Sequence, residues 1–175
     1  ILIILFNISK VFASVEFPQT SAQSAVLIDG SSCRVLWGKN IDEKLPMAST
    51  TKIMTALVAI ESQNINRVVT IPEVAQGVEG SSIYLTAGEH LTLEELLYGL
   101  MLRSGNDAAT AIAYDVGGGS IEKFVSLMNA TAKRIGAYNT NFENPHGLHS
   151  DNHYTTAHDL AKITAYALKN DKFKE

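Results

Sequence analysis

Ser49 and Lys52 are the residues of this sequence whose types and spacing most directly suggest covalent chemistry. They lie three residues apart in a largely apolar run, LPMASTTKIMTAL at 45–57, and a helix would place them on neighbouring points of one face. Free backbone N–H groups and the helix dipole near a helix start favour an alkoxide at Ser49. Desolvation lowers the pKa of a lysine, so Lys52 could accept the serine proton. The pair is a candidate nucleophile and base.

The same spacing also occurs where no chemistry is needed. Serine is a good helix N-cap, and Ser120 with Lys123 repeats the pattern at the start of an amphipathic segment that also carries Glu122. There we expect simple capping. Ser49 differs because an apolar run follows it and Pro46 precedes it. The spacing by itself leaves capping open for Ser49 as well.

A Ser-x-Asn turn could supply the proton relay and the amide-binding group that such a pair needs on the opposite side of a cleft. The sequence contains three matches: Ser62-Gln63-Asn64, Ser104-Gly105-Asn106 and Ser150-Asp151-Asn152. The first is expected to cap the end of the Ser49 helix, and the third lies in a loop. The second lies between two apolar helices, where Gly105 permits a tight turn. Capping of the following helix by Ser104 or Asn106 is the alternative explanation for that turn.

Two predicted strands precede a largely helical chain. The strands are at 24–29 and 33–38, and the helices are at 48–62, 91–102, 106–116, 120–135 and 156–169. Apolar positions cover more than one stripe of the helix at 48–62, so we expect it to be buried on most sides. Segments 67–72 and 81–85 are short strands or extended loops, and 137–153 is a loop. Thr92 with Glu95, Ser120, and Thr156 are predicted caps.

Composition excludes some classes of function. The chain has 175 residues, 46% hydrophobic and 18% charged, with a net charge of −4 and no basic cluster. Nucleic-acid binding is therefore not expected. Cys33 is the single cysteine, so no internal disulfide can form. His146, His149 and His153 lie close together, but no His-Glu-x-x-His motif is present, and we expect loop packing and no metal site.

The first residues differ from the rest of the chain. The apolar run ILIILFNI at 1–8 is too short to span a bilayer, which takes about 20 residues. Val11 and Ala13 occupy the small-residue positions of a cleavage site, which predicts a partial signal peptide over 1–13. A buried strand is the alternative. Residues 14–23 are polar and are expected to form the mature N-terminal segment.

Four segments resemble, in order, the D-alanyl-D-alanine carboxypeptidases, which are low-molecular-mass penicillin-binding proteins. The segments are 25–57, 80–113, 124–148 and 153–163. Ser-x-x-Lys, Ser-Asp-Asn and Lys-Thr-Gly are the signature set of penicillin-binding proteins and class A β-lactamases. The resemblance favours Ser104-Gly105-Asn106 as the second motif over the literal Ser150-Asp151-Asn152. The resemblance implies Ser49 as acylated nucleophile, Lys52 as base, Ser104 as proton relay and Asn106 in substrate positioning, with Gly105 in the binding turn.

The resemblance also implies fold and function. The fold class is α/β (α+β), a penicillin-binding-protein or β-lactamase-like fold, represented here by its helical part and the first two antiparallel strands of its sheet. The implied reaction removes the terminal D-alanine from peptidoglycan stem peptides through an acyl-enzyme, without a cofactor. β-Lactam antibiotics would be covalent inhibitors, and the location would be the extracytoplasmic face of the cytoplasmic membrane. A β-lactamase and a non-catalytic peptidoglycan-binding relative are the alternatives.

One expected motif is absent. No Lys-Thr-Gly occurs in the sequence. In the family this motif lies on a sheet strand that follows the last helix, where it binds the substrate carboxylate. We therefore expect residues 24–175 to be an incomplete serine D,D-carboxypeptidase domain that is inactive on its own. The resemblance implies association with the membrane only through parts that this chain does not contain.

Overall fold

The structure is a computed structural model that describes residues 19–62 and 64–175. Strands β1 (Ala25–Ile28) and β2 (Val35–Lys39) come first, followed by a 3-10 turn at Ala48–Thr50 and helix α1 (Thr51–Ser62). Strands β3 (Val68–Thr70) and β4 (His90–Thr92) precede α2 (Leu93–Leu102), α3 (Asn106–Val116), α4 (Ile121–Ile135), α5 (Ala157–Ala167) and α6 (Asp171–Lys174). The predicted signal peptide over 1–13 lies outside the described residues.

Helix α1 is the centre of the domain. It packs against helices α2, α3, α4, α5 and α6, and most of its side chains are buried. Met54 and Leu57 are each 1% exposed and lie in the main hydrophobic core. The prediction that this helix is buried on most sides is therefore confirmed. Its burial is what brings Lys52 into the interior.

Strands β1 and β2 form the predicted antiparallel hairpin, and α5 packs against β1. The second strand begins two residues later than expected. Asp29 accepts hydrogen bonds from the backbone N–H groups of Ser31 and Ser32, and Cys33 has φ 58°. This turn chemistry keeps Cys33 out of the strand, where the sequence had placed it.

A second two-stranded sheet extends the predicted fold. Strand β3 pairs with β4 in antiparallel register, with Val69 opposite Leu91. The expected strand or loop at 67–72 is thus a strand, whereas 81–85 is a loop. Backbone N–H groups of Ile83 and Leu85 donate to the Asp107 carboxylate and to no neighbouring strand.

The helix ends follow the sequence closely. Thr92 and Glu95 form the predicted capping box of α2. Ser120 accepts from the backbone N–H of Lys123 at the start of α4, and Thr156 caps α5. The capping interpretation of Ser120 is therefore confirmed. None of the helices in the described part of the chain is long and apolar enough to cross a membrane.

Two leucines of α2 provide a matched test of this core. Leu100 is 0% exposed and Leu102 is 76% exposed. We expect Leu100→Ala to lower the free energy of unfolding by about 2–5 kcal/mol because it leaves a cavity. Leu102→Ala should change it by less than about 0.5 kcal/mol. Denaturant titration of the full-length protein measures both values, and equal effects would contradict this packing.

Candidate active site

Ser49 lies in the 3-10 turn that leads into α1, not in the helix itself. Helix α1 begins at Thr51, and Ala48 has φ 46°, a left-handed conformation that is uncommon for a residue other than glycine. Ser49 is exposed, and its Oγ accepts a hydrogen bond from Lys52 Nζ at 3.3 Å. At Ser120, by contrast, the hydroxyl accepts from the backbone N–H of Lys123. The same spacing therefore produces two different structures.

Lys52 is buried, with 3% of its surface exposed. Its Nζ donates to Asn106 Oδ1 at 2.7 Å, to the carbonyl of His146 at 2.8 Å and to Ser49 Oγ at 3.3 Å. An ammonium group has three hydrogens, so each has an acceptor. None of the ion pairs among the described residues includes Lys52.

This environment makes the ammonium of Lys52 easier to deprotonate. Burial lowers the pKa of Lys52 from an ordinary 10.5 to about 8, and the acceptors around it carry no charge. A neutral amine can take the proton of a neighbouring hydroxyl. The arrangement can therefore generate an alkoxide on Ser49 near neutral pH.

Asn106 joins three parts of the site. Its Oδ1 accepts from Lys52, its Nδ2 donates to the carbonyl of Glu79 at 2.6 Å, and its backbone N–H donates to the carbonyl of Ser81 at 2.7 Å. It is the first residue of α3 and is 6% exposed. Because the ammonium can only donate and the Glu79 carbonyl can only accept, the orientation of the amide is fixed.

Ser104 and Gly105 form the turn between α2 and α3. Ser104 has φ 55°, and Gly105 N–H donates to the carbonyl of Gly99 at 3.1 Å. A Cβ on Gly105 would lie 2.8 Å from Asp107 Oδ1, so a larger residue would displace the Asp107 carboxylate. This is the one Ser-x-Asn match, among those the structure describes, that contacts Lys52, and the contact is made by Asn106.

The other two matches lie elsewhere. Asn64 accepts from the backbone N–H of Asn66 in the turn after α1. Ser150 donates to the Glu143 carboxylate, and the carbonyl of Asn152 accepts from Asn141. None of their described residues makes a hydrogen bond with Ser49 or Lys52. Of the three matches, 104–106 is the one that the structure brings to Lys52, through Asn106.

A turn at 144–147 completes the surroundings of Lys52, and sequence reasoning missed its role. Asn144 Oδ1 accepts from Gly147 N–H at 2.7 Å, and Gly147 has φ 93°. A Cβ on Gly147 would collide with the carbonyl of Ala48. Burial, with the charge of Lys52, lowers the pKa of the His146 imidazole to about 4. The contact with Lys52 is made by the backbone carbonyl at position 146, which any residue type has. No pattern in the sequence therefore marks this position.

Asp107 is a second residue of the site that the sequence patterns did not single out. It is 1% exposed and accepts from Ser82 Oγ at 2.7 Å and from the backbone N–H groups of Ile83 and Leu85. Burial opposes ionisation, but these hydrogen bonds lower the pKa of Asp107 below its ordinary value. The carboxylate therefore ties the 82–85 loop to the start of α3, beside Asn106. Its position directly after Asn106 of the Ser-x-Asn match is the feature of the sequence that could have indicated a role in the site.

The three loop histidines do not converge. His149 is exposed and lies 3.6 Å from an Asp151 carboxylate oxygen, whereas His153 is 3% exposed and contacts Thr51. Within 19–62 and 64–175, no group of three His, Cys, Asp or Glu side chains is placed to hold a metal ion.

Comparison with known proteins agrees with this geometry. The profile of the D-alanyl-D-alanine carboxypeptidase family matches residues 11–175. The chain is 42% identical to D-alanyl-D-alanine carboxypeptidase DacF of Bacillus subtilis over 153 residues, covering 85% of this chain and 39% of the relative. It is 37% identical to DacC of Escherichia coli, covering 86% of this chain and 40% of the relative. The chain thus spans about 40% of the length of these relatives.

Solved structures show the same fold. The D-alanyl-D-alanine carboxypeptidase from Mycobacterium tuberculosis superposes with a TM-score of 0.86 at 36% identity, covering 91% of this chain and 61% of that one. The Streptomyces K15 DD-transpeptidase superposes with a TM-score of 0.84 at 34% identity, covering 90% of this chain and 64% of that one. The fold is therefore that of the penicillin-binding D,D-peptidases. The chain belongs to the D-alanyl-D-alanine carboxypeptidase family.

Two glycines with positive φ test the packing of the 144–147 turn. Gly88 has φ 83° and open space around it, whereas Gly147 has φ 93° and faces the carbonyl of Ala48. We expect Gly88→Ala to cost about 1–2 kcal/mol of unfolding free energy, for the backbone conformation alone. Gly147→Ala should cost about 1–3 kcal/mol more, because the two backbones must separate. Denaturant titration measures the difference, and equal costs would contradict the close approach.

Proposed function

We propose that this protein is a serine-type D-alanyl-D-alanine carboxypeptidase that removes the terminal D-alanine from peptidoglycan stem peptides. The observation that carries the proposal is the hydrogen bond between Ser49 Oγ and a buried lysine that has no carboxylate partner within 19–62 and 64–175. A lysine in this setting is a base for the hydroxyl beside it. The names of the relatives indicate the substrate.

The reaction begins with proton transfer from Ser49 to the neutral amine of Lys52. Ser49 Oγ then attacks the carbonyl carbon between the two D-alanines, and the C–N bond breaks. Ser104 relays the proton held by Lys52 to the departing amine, which leaves as free D-alanine, and Lys52 is neutral again. Lys52 then takes a proton from the water that attacks the ester, and this proton returns to Ser49 Oγ as the ester C–O bond breaks and the shortened stem peptide leaves as a carboxylic acid.

Asn106 and Gly105 position the other reactants. Asn106 holds Lys52 through Oδ1 and the 79–81 segment through its two N–H groups, so it fixes the base relative to the loop beside it. Gly105 lies in the tight turn between Ser104 and Asn106, where an added Cβ would lie 2.8 Å from Asp107 Oδ1. Backbone N–H groups near Ser49 would stabilise the oxyanion, an effect worth about 3–4 kcal/mol per donor in other hydrolases.

We place the catalytic domain at 24–175 and the mature N-terminal segment at 14–23. Residues 1–13 act as a signal segment, so the enzyme works at the extracytoplasmic face of the cytoplasmic membrane, where its substrate lies. β-Lactam antibiotics acylate Ser49 because they present a carbonyl to the same nucleophile. The chain's own residues account for the nucleophile and the base.

Labelled penicillin tests the assignment of the nucleophile. The full-length protein should form a long-lived covalent adduct, and Ser49→Ala should form none. Ser120→Ala is the matched control, because Ser120 has the same spacing to a lysine and serves as a helix cap. It should keep the adduct while losing about 1 kcal/mol of stability. Gel fluorescence and mass spectrometry of the adduct measure these outcomes.

The same experiment separates the alternatives. Rapid turnover of penicillin without an accumulating adduct would indicate a β-lactamase. A wild-type protein that forms no adduct, yet is retained by peptidoglycan and releases no D-alanine from a model stem peptide, would indicate a non-catalytic wall-binding protein. An undiminished adduct in Ser49→Ala would overturn the assignment of Ser49.

A further inference from the structure

His153 is a buried histidine that the reaction described above does not use. It lies 104 residues from Ser49 in sequence, yet its Nε2 is 2.7 Å from Thr51 Oγ1, at the start of α1. Its Nδ1 accepts from the backbone N–H of Glu143 at 3.0 Å. Only 3% of the His153 surface is exposed, and both ring nitrogens have partners. A buried polar group whose hydrogen bonds are all satisfied makes the structure around it rigid, here the Thr51 side chain.

The direction of each hydrogen bond follows from the donors. A backbone N–H can only donate, so Nδ1 of His153 carries the lone pair and Nε2 carries the proton of the neutral ring. Nε2–H therefore donates to Thr51 Oγ1. The Thr51 hydroxyl in turn donates to the carbonyl of Ala48 at 2.8 Å. Burial lowers the pKa of His153, which favours this neutral form at physiological pH although Glu143 opposes the shift.

The chain of hydrogen bonds ends on the peptide bond that precedes the nucleophile. The Ala48 carbonyl receives both the hydroxyl and the backbone N–H of Thr51, and Gly147 packs against it. Peptide bonds among the described residues are all trans, so the N–H of Ser49 points away from that carbonyl. Fixing the Ala48 carbonyl therefore fixes the direction of the Ser49 N–H.

Ala48 needs such support. Its φ of 46° is unfavourable for an L-residue, at about 1–2 kcal/mol, so the turn requires contacts that hold it. Thr51 and Gly147 contact the Ala48 carbonyl, and His153 holds the Thr51 side chain. A turn released from them would rotate toward an ordinary conformation and carry Ser49 with it.

We propose that His153 and Thr51 are positioning residues that hold the Ala48–Ser49 peptide in the orientation needed for acylation of Ser49. The proposal rests on the proposed function, because it concerns the geometry of the same nucleophile. His153 and Thr51 are both buried, and their side-chain hydrogen bonds do not include Ser49 Oγ or Lys52 Nζ. They affect the rate at which Ser49 is acylated and leave the initial, non-covalent binding of the acylating ligand unchanged.

Thr51→Val tests the proposal because valine keeps the shape of threonine and removes the hydroxyl. Saturation kinetics with a fluorescent penicillin on the full-length protein give a binding constant and a first-order acylation rate. We expect the first-order rate to fall about 10- to 100-fold with the binding constant unchanged, since small misplacements of a nucleophile have effects of this size. Thr51→Ser, which restores the hydroxyl, should restore the rate.

Thr164→Val is the matched control. It removes a helix hydroxyl that donates over the same 2.8 Å, to the carbonyl of Leu160 in α5, and should leave both constants unchanged. His153→Phe removes the other end of the chain of hydrogen bonds and should lower the same first-order rate. The Thr51→Val/His153→Phe double variant should lose no more than the poorer single variant if the residues act together. His153→Phe carries the test if Thr51→Val does not fold.

The outcomes of these experiments distinguish a failure of this inference from a failure of the proposed function. Equal first-order rates in wild type and Thr51→Val, or in wild type and His153→Phe, overturn this inference and leave the proposed function intact. A weaker binding constant with an unchanged first-order rate also overturns it. Absence of any adduct in the wild type overturns the proposed function and this inference with it.

Discussion

The ammonium of Lys52 lies in the interior of the protein, surrounded by neutral oxygen acceptors. Removing an unpaired charge from water costs several kcal/mol unless it is compensated or neutralised. Here three hydrogen bonds offset part of the free-energy cost of burying the ammonium. The part that they do not offset lowers the pKa of Lys52 to about 8. Stability and chemistry are therefore opposed at this residue: the burial that disfavours its charge also makes it a base.

The three acceptors come from separate parts of the fold. Ser49 lies on the turn before α1, Asn106 begins α3, and His146 belongs to the loop between α4 and α5. Each part is held in turn by contacts of its own. Asp107 ties the 82–85 loop to α3, and Gly147 allows the 144–147 turn to reach the carbonyl of Ala48. The packing of α1 at the centre of the helices lets all three meet at one amine.

Sequence alone could predict the parts of this arrangement that depend on side-chain type. Spacing and apolar context made Ser49 and Lys52 candidates, and turn chemistry made 104–106 one of three candidates. The choice among those three came from the family resemblance, since composition could not decide it. Caps at Thr92, Ser120 and Thr156 were predictable because they depend on local hydrogen bonds.

Features that depend on backbone position were not predictable. The carbonyl of His146 contacts Lys52, but every residue has a carbonyl, so no pattern marks it. The left-handed φ of Ala48 is imposed by tertiary contacts and opposes the preference of alanine. For the same reason the sequence placed Ser49 inside a helix, whereas the structure places it on a 3-10 turn before α1.

A titration of Lys52 tests the central claim most directly. The full-length protein, labelled with 13C at the lysine ε-carbons, would be followed by NMR across the alkaline range, with the Lys52→Met variant used to assign the resonance. Because burial lowers the pKa, the amine should lose its proton with a midpoint of about 8. A midpoint at the ordinary lysine value of 10.5 would contradict the account, since almost no Lys52 would then be neutral beside Ser49 at physiological pH.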